Sequence, residues 1–265
     1  MEQYDAFILA GARAPWLKPL AGTEHILLAR CGDMRLVDLQ LGALNASGKV
    51  RQIVLAALPD ALKELENTLP PGVGLCEAKD DLPASACSAL AALGPDASSK
   101  VLGICDDIPL ITPLALQDFF NQCERYPQSQ ICYPIIPKAA CLRAFPGAQR
   151  TYGRLKEGYF TGGNMMLLTH DAILEGQHKA REIFERRKSP LKLCDWLGWG
   201  FIFKLILHQL SVEAAEKQTS RLLGLNCKAI VTEHAEIGMD IDKPADWAAV
   251  GSMLSSLGQR EAALK

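Results

Sequence analysis

The chain has 265 residues, 49% of them hydrophobic, with a formal net charge of −2 and a pI near 6.2. That length fits one large domain or two small ones, and the apolar content is enough for a sizeable core. A near-neutral chain has no global attraction for nucleic acid or an anionic membrane, so neither is expected as a partner. The nine cysteines are odd in number and form no C-x-x-C pair. Cys123, Cys132 and Cys141 recur every nine residues, which is not a zinc spacing, so all nine are read as reduced thiols of a cytoplasmic protein. The N-terminus has acids before its apolar run and no basic segment, unlike a signal peptide. The apolar run Trp196 to Leu210 contains Lys204 and His208 and is too short and too polar to span a bilayer.

In chain order, Tyr4 to Ala12 (YDAFILAGA) reads as a strand running into a glycine-containing loop. Leu36 to Gly48 has apolar residues at helical spacing and a Ser-Gly stop. Val50 to Leu58 is a strand, and Asp60 to Leu69 a helix opened by Asp60 after Pro59. Val73 to Ala78 is a short strand, Asp81 to Gly94 a helix, and Lys100 onward a strand ending in Asp106 and Asp107. Thr112 caps a helix reaching Cys123, with Pro113 in its first turn. Alternation of strand and helix points to βαβ units around a parallel sheet. In such sheets a ligand sits beyond the C-terminal strand ends, where the loop at Gly11 and the pair Asp106–Asp107 both fall.

After Gln130 the pattern changes. Gln130 to Lys138 and Thr151 to Thr169 read as extended, hairpin-forming segments with turns at Glu157–Gly158 and Gly162–Gly163. A helical insertion, about residues 171–220, is broken near Ser189–Pro190 and Gly198. Its aromatics Trp196, Trp199, Phe201 and Phe203 fit a core or a subunit contact, so a homodimer is carried as an expectation. A strand around Ala229 to His234 and a closing helix after Asp240 to Trp247 complete the chain. The expected fold is a three-layer α/β/α, Rossmann-like arrangement with a mixed, mainly parallel sheet, in one domain over residues 1–265.

Four stretches bear chemistry. Asp106 and Asp107 end an apolar strand, where carboxylates can hold a hard cation that binds triphosphate oxygens; a solvated Asp-Asp turn is equally compatible. Asp240 and Asp242 alternate with Met239 and Ile241 and so share a face of an expected strand; helix capping before Pro244 is the competing reading. In Thr161–Gly162–Gly163–Asn164 the glycines permit close approach of backbone to a ligand, or simply a tight turn. Gly11 lets loop N–H groups approach an anion. The basic residues Arg13, Lys18, Lys138, Arg150, Arg154 and Lys156 are read chiefly as a solvated face, with some able to meet phosphate. The run Arg181 to Lys192 reads as the polar side of an insertion helix.

Taken in order, FILAGARA, CDDIPLIT, TGGNMMLL and MDIDKPADW resemble the MobA-like NTP transferases, nucleotidyltransferases of the GT-A fold. The block Tyr133 to Leu168 resembles a subgroup with an added helical region. The resemblance implies transfer of NMP from a Mg²⁺-bound NTP to a small phosphorylated acceptor, such as a sugar phosphate or cofactor precursor, with release of pyrophosphate. It implies nucleotide contacts from Leu9, Ala10, Gly11, Ala12, Arg13 and Asp106, and acceptor contacts from Thr161, Gly162, Gly163 and Asn164. Asp107, Asp242 and the neighbouring Asp240 would hold metal, with Asp107, His25 and Lys18 counted as catalytic. The chain departs from the family pattern at Ala12, where a second glycine is usual, and at His25, which stands at a lysine position. Those two departures together also suit a catalytically impaired relative that binds a nucleotide or nucleotide-sugar as a sensor or partner protein.

Overall fold

The computed structural model describes residues 2–186 and 208–263. The expected breaks at Ser189–Pro190 and Gly198 and the aromatics at 196–203 lie outside the described residues. A nine-stranded mixed sheet forms the middle layer. Its parallel half consists of β1 (Tyr4–Ala10), β4 (Val50–Ala57), β5 (Val73–Glu77) and β6 (Lys100–Cys105), in the order β5-β4-β1-β6. The strands β2 (Arg30–Cys31) and β3 (Met34–Arg35) form a separate small hairpin. Beyond β6 follow β10 (Met165–Thr169) and β7 (Ile131–Pro137), with β9 (Gly158–Gly162) and β8 (Gly153–Leu155) outermost and β11 (Cys227–Val231) parallel to β7.

The alternation of β1 builds both outer layers. Ala6 and Ile8 point to one face, where they meet Leu41 and Leu44 of α2 (Leu36–Ala46), Leu65 of α3 (Pro59–Leu65), and Phe119 and Phe120 of α5 (Pro113–Cys123). The Tyr4 and Phe120 rings stack with centroids 4.5 Å apart. Phe7 points to the other face, against Ala86 and Leu90 of α4 (Leu82–Leu93) and Ile173 of α7 (His170–Leu174). A strand covered on both faces reads as a continuous apolar run, as β1 does. The remaining helices are α1 (Lys18–Ala21), α6 (Lys138–Ala144), α8 (Gln177–Arg186), α9 (Val212–Leu223) and α10 (Pro244–Ala263). No helix among the described residues is long and apolar enough to cross a membrane.

The three-layer α/β/α reading and its mixed, mainly parallel sheet hold. Asp81 and Thr112 cap α4 and α5, accepting from Ala84 N at 2.8 Å and Ala115 N at 3.1 Å. Five local expectations are corrected. The helix α3 begins at Pro59 after Leu58 and ends at Leu65, so Asp60 lies in its first turn rather than capping it. Between the two expected extended segments, where no element was expected, the chain coils into α6, and there Ala140 and Cys141 are buried. The last strand is Cys227–Val231, and the closing helix starts at Pro244, inside the stretch expected to precede it.

Gly162–Gly163 is not a hairpin turn. Strands β9 and β10 both run antiparallel to β7 and so run the same way, as one strand bent at Gly163–Asn164. Nor is 239–242 a strand: it is an extended stretch whose Ile241 N–H bonds to Asp107 O at 3.0 Å. The expected alternation survives there. Met239 and Ile241 pack with Leu17 and Leu36, which turns Asp240 and Asp242 the other way.

Candidate active site between two clefts

At the C-terminal edge of the parallel strands, Leu9 of β1 lies beside Cys105 of β6. Asp106 N donates to Leu9 O (3.2 Å), so the chain leaves β6 toward the first loop. Three main-chain bonds lock the crossing segments together. Cys105 N donates to Asn164 O (2.9 Å), Asn164 N to Ile237 O (3.0 Å) and Ile241 N to Asp107 O (3.0 Å). Residues 107, 164 and 240–242, remote in sequence, meet for that reason.

Asp107, Asp240 and Asp242 each bring one carboxylate oxygen within 4.8 Å of the others. The Asn164 side-chain amide donates to Asp107 Oδ1 (3.0 Å) and to Asp240 Oδ2 (3.2 Å), holding two of the acids at fixed separation. Burial pushes the Asp107 carboxyl up to about 6; the Asn164 amide opposes that shift and Asp242 adds to it. Burial, and then the charge of Asp107, push the enclosed Asp106 carboxyl well above the usual range. Asp242 is exposed. It is Asp246 that accepts from the backbone N–H groups of Asp242 and Lys243 at the start of α10, each at 3.2 Å, so Asp242 is not spent on capping. Three oxygen donors with no sulfur or imidazole among them suit a hard divalent cation such as Mg²⁺ or Mn²⁺.

The acids stand between two clefts. One, of about 490 Å³, is lined by Leu9, Gly11, Ala12, Asp106 and Asp107, and also by Lys79 and Arg181. The N-terminus of α4 opens into it at Asp81–Pro83. Arg181 of α8 reaches it by pairing with Asp81 at 2.6 Å. The other cleft, of about 390 Å³, is lined by Thr161, Gly162, Asn164, Asp240 and Asp242, together with Tyr133 and Arg150. Glycine is required at the bend: a Cβ on Gly162 would sit 2.1 Å from the Tyr133 hydroxyl, and one on Gly163 would sit 2.6 Å from Ile237 Cγ2. Gly163 itself is buried, and so is Ala10 at the end of β1.

The basic residues of the first loop lie elsewhere. His25 is 4% exposed, with Nε2 3.1 Å from Asp60 Oδ2 and 3.4 Å from the Arg13 guanidinium. Arg13 donates to Asp60 at 2.7 Å, and Lys18 pairs with Glu24 at 3.1 Å. His25 first and Arg13 second hold the Asp60 carboxyl below its ordinary value. None of the three basic residues lines either cleft. Arg13 and His25 tie the loop to the start of α3, while Lys18 pairs within the loop. Lys79 and Arg181, the cations that do face the first cleft, carry no motif.

A hypothetical transferase from Thermus thermophilus is 30% identical, with alignment over 92% of this chain and 99% of that one and a TM-score of 0.77. This chain belongs to the same family as that transferase. A CMP:2-keto-3-deoxy-manno-octonic acid synthetase solved with CTP shares the fold at 12% identity, over 96% and 99% of the two chains, with a TM-score of 0.61. A Mycobacterium tuberculosis protein solved with manganese shares it at 14% identity, over 93% and 96%, with a TM-score of 0.53. The fold is thus that of the nucleotidyltransferases. No protein-family model and no curated protein matches the chain.

Proposed function

We propose that the protein is a nucleotidyltransferase of the MobA-like kind, transferring NMP from an NTP to a small phosphorylated acceptor. The observation that carries this reading is the convergence of Asp107, Asp240 and Asp242 between two clefts. In this reading the cleft at Gly11 and Ala12 takes the nucleotide, and the cleft at Thr161, Gly162 and Asn164 takes the acceptor. A hard divalent cation held by the three acids, Mg²⁺ by preference, supplies charge neutralisation at the polyphosphate oxygens. The backbone of Leu9 to Ala12 borders the phosphates, and Lys79 and Arg181 supply further positive charge. An acceptor phosphate oxygen attacks the α-phosphorus in line; the new P–O bond forms as the bond to the β-phosphate bridging oxygen breaks and pyrophosphate leaves. Such a reaction asks the protein for positioning and electrostatics rather than proton transfer. No general base is needed, which suits a site where His25 is held by Asp60. The reading includes a cytoplasmic location, which the eight free thiols among the described residues support.

The test is pyrophosphate release from each of the four common NTPs with Mg²⁺ or Mn²⁺ and a panel of sugar phosphates. Release that Asp242→Asn abolishes supports the enzyme. A specific observation favours a second reading: the lysine position of the first loop is His25, buried and paired with Asp60. Metal-dependent nucleotide binding without release from any acceptor would favour that reading, a nucleotide- or nucleotide-sugar-binding relative.

A further inference from the structure

Arg150 stands where the acid cluster meets the second cleft. It belongs to the irregular stretch between α6 and β8, and its side chain is 13% exposed. Its Nη1 makes a close ion pair with Asp240 Oδ1. Its Nη2 lies 3.3 Å from Asp240 O and 3.6 Å from Met239 Sδ. A thioether is a weak acceptor and the carbonyl is neutral, so the Asp240 carboxylate is the one charged group among these partners of the guanidinium. That carboxylate is also one of the three oxygen donors of the cluster. Neighbouring Gln149 and Thr151, with Thr161 across the cleft, give the same space a lining of neutral hydrogen-bonding groups.

One guanidinium and one divalent cation therefore compete for Asp240. Three ionised carboxylates against a single guanidinium leave two negative charges. A divalent cation neutralises the whole group, but it takes the Asp240 carboxylate that the guanidinium holds, so the guanidinium loses its direct partner. Its nearest alternative is the adjoining cleft, where a planar fork of N–H donors suits a phosphate. We propose that Arg150 is an exchange residue: it holds Asp240 while the acids lack a metal, and is handed to the acceptor's phosphate group when a divalent cation takes that carboxylate. This rests on the reading of the second cleft as the acceptor site. It makes metal and acceptor binding mutually reinforcing, and by linkage each must tighten the other by the same factor.

The experiment is calorimetric titration of the intact protein with Mn²⁺, alone and with glycerol 1-phosphate, in wild type, R150Q, R150K and D240N. Expected for R150Q is Mn²⁺ binding about three- to tenfold tighter than wild type. In wild type, glycerol 1-phosphate should tighten Mn²⁺ binding about fivefold, at the low end of typical linkage, and that coupling should vanish in R150Q. R150K, which keeps the charge without the fork, should recover less than half of the coupling. Equal or weaker Mn²⁺ binding in R150Q, or coupling that persists in it, overturns the exchange while leaving the active-site reading intact. Wild type that binds no Mn²⁺, or D240N that binds it as wild type does, overturns both.

Discussion

Asp107 is an acid of the cluster whose ionisation is made costly by burial. Its carboxyl, pushed up to about 6 by burial, must lose a proton before it can hold a cation. Mn²⁺ affinity should therefore fall as pH drops through about 6, roughly tenfold per unit below it, as measured by titration from pH 8 to pH 5. The stability consequence has the opposite sense. A carboxyl raised above its unfolded value of 3.8 favours the folded state most at acid pH, and that advantage is lost as pH rises through about 6. Asp107→Asn should thus raise the melting temperature of the metal-free protein at pH 7.5, by an amount corresponding to at most about 3 kcal/mol. The gain should shrink toward pH 5 while metal binding is lost. Asn164 acts one step back, fixing the spacing of Asp107 and Asp240. Orienting groups of this type are worth 10–100-fold in metal affinity, so Asn164→Ala should weaken Mn²⁺ by about that factor. Both residues stood out in the sequence, Asp107 with the metal-holding role that the resemblance implied and Asn164 without the bridging role seen here. Asn164 reads there as a ligand-side residue because a side-chain amide bridging two acids depends on a contact across 57 residues in one direction and 76 in the other.

Among the elements, the parallel strands and the helices between them were legible because periodicity, caps and proline positions are local signals. The bend between β9 and β10 was not. A Gly-Gly pair between apolar runs carries the same local signature whether the chain reverses or continues, and only pairing with β7 decides it. Glycine is needed there for lack of room. Gly163→Ala should cost about 1–3 kcal/mol through overpacking against Ile237 and Pro134. Because Asn164 follows directly, the same change should also weaken Mn²⁺ binding. Urea denaturation and metal titration of that one variant check both. The extended stretch at 239–242 shows the complementary case. Its alternation of Met239, Asp240, Ile241 and Asp242 was visible and meaningful, yet it arises from packing of two apolar side chains and one main-chain bond rather than from a strand.

For the molecule as a whole, sheet order and chain direction explain why the edge near Leu9 and Cys105 gathers the acids, while the first loop's cations are drawn aside by Asp60 and Glu24. That diversion was invisible in the sequence. Charge partners supplied by a helix 35 residues away leave no motif, so His25 stands out by its alignment rather than by its surroundings. Nucleotide and metal together should stabilise the fold more than either alone. At a nucleotide concentration 100 times its dissociation constant the gain is about 2.7 kcal/mol, or roughly 5–11 °C in melting temperature for a domain of this size. Scans with CTP, ATP, GTP and UTP, each with and without Mn²⁺, would read it directly, and Asp242→Asn should abolish the metal-dependent part. The bent strand has one more consequence. Its downstream half is clamped in the middle of the sheet beside β6, whereas its upstream half pairs with the peripheral β8, so a single run of backbone is central at one end and peripheral at the other. If the second cleft is the proposed acceptor site, substitutions at Thr161 in the upstream half would change what that cleft holds while the pairing beside β6 stays as it is.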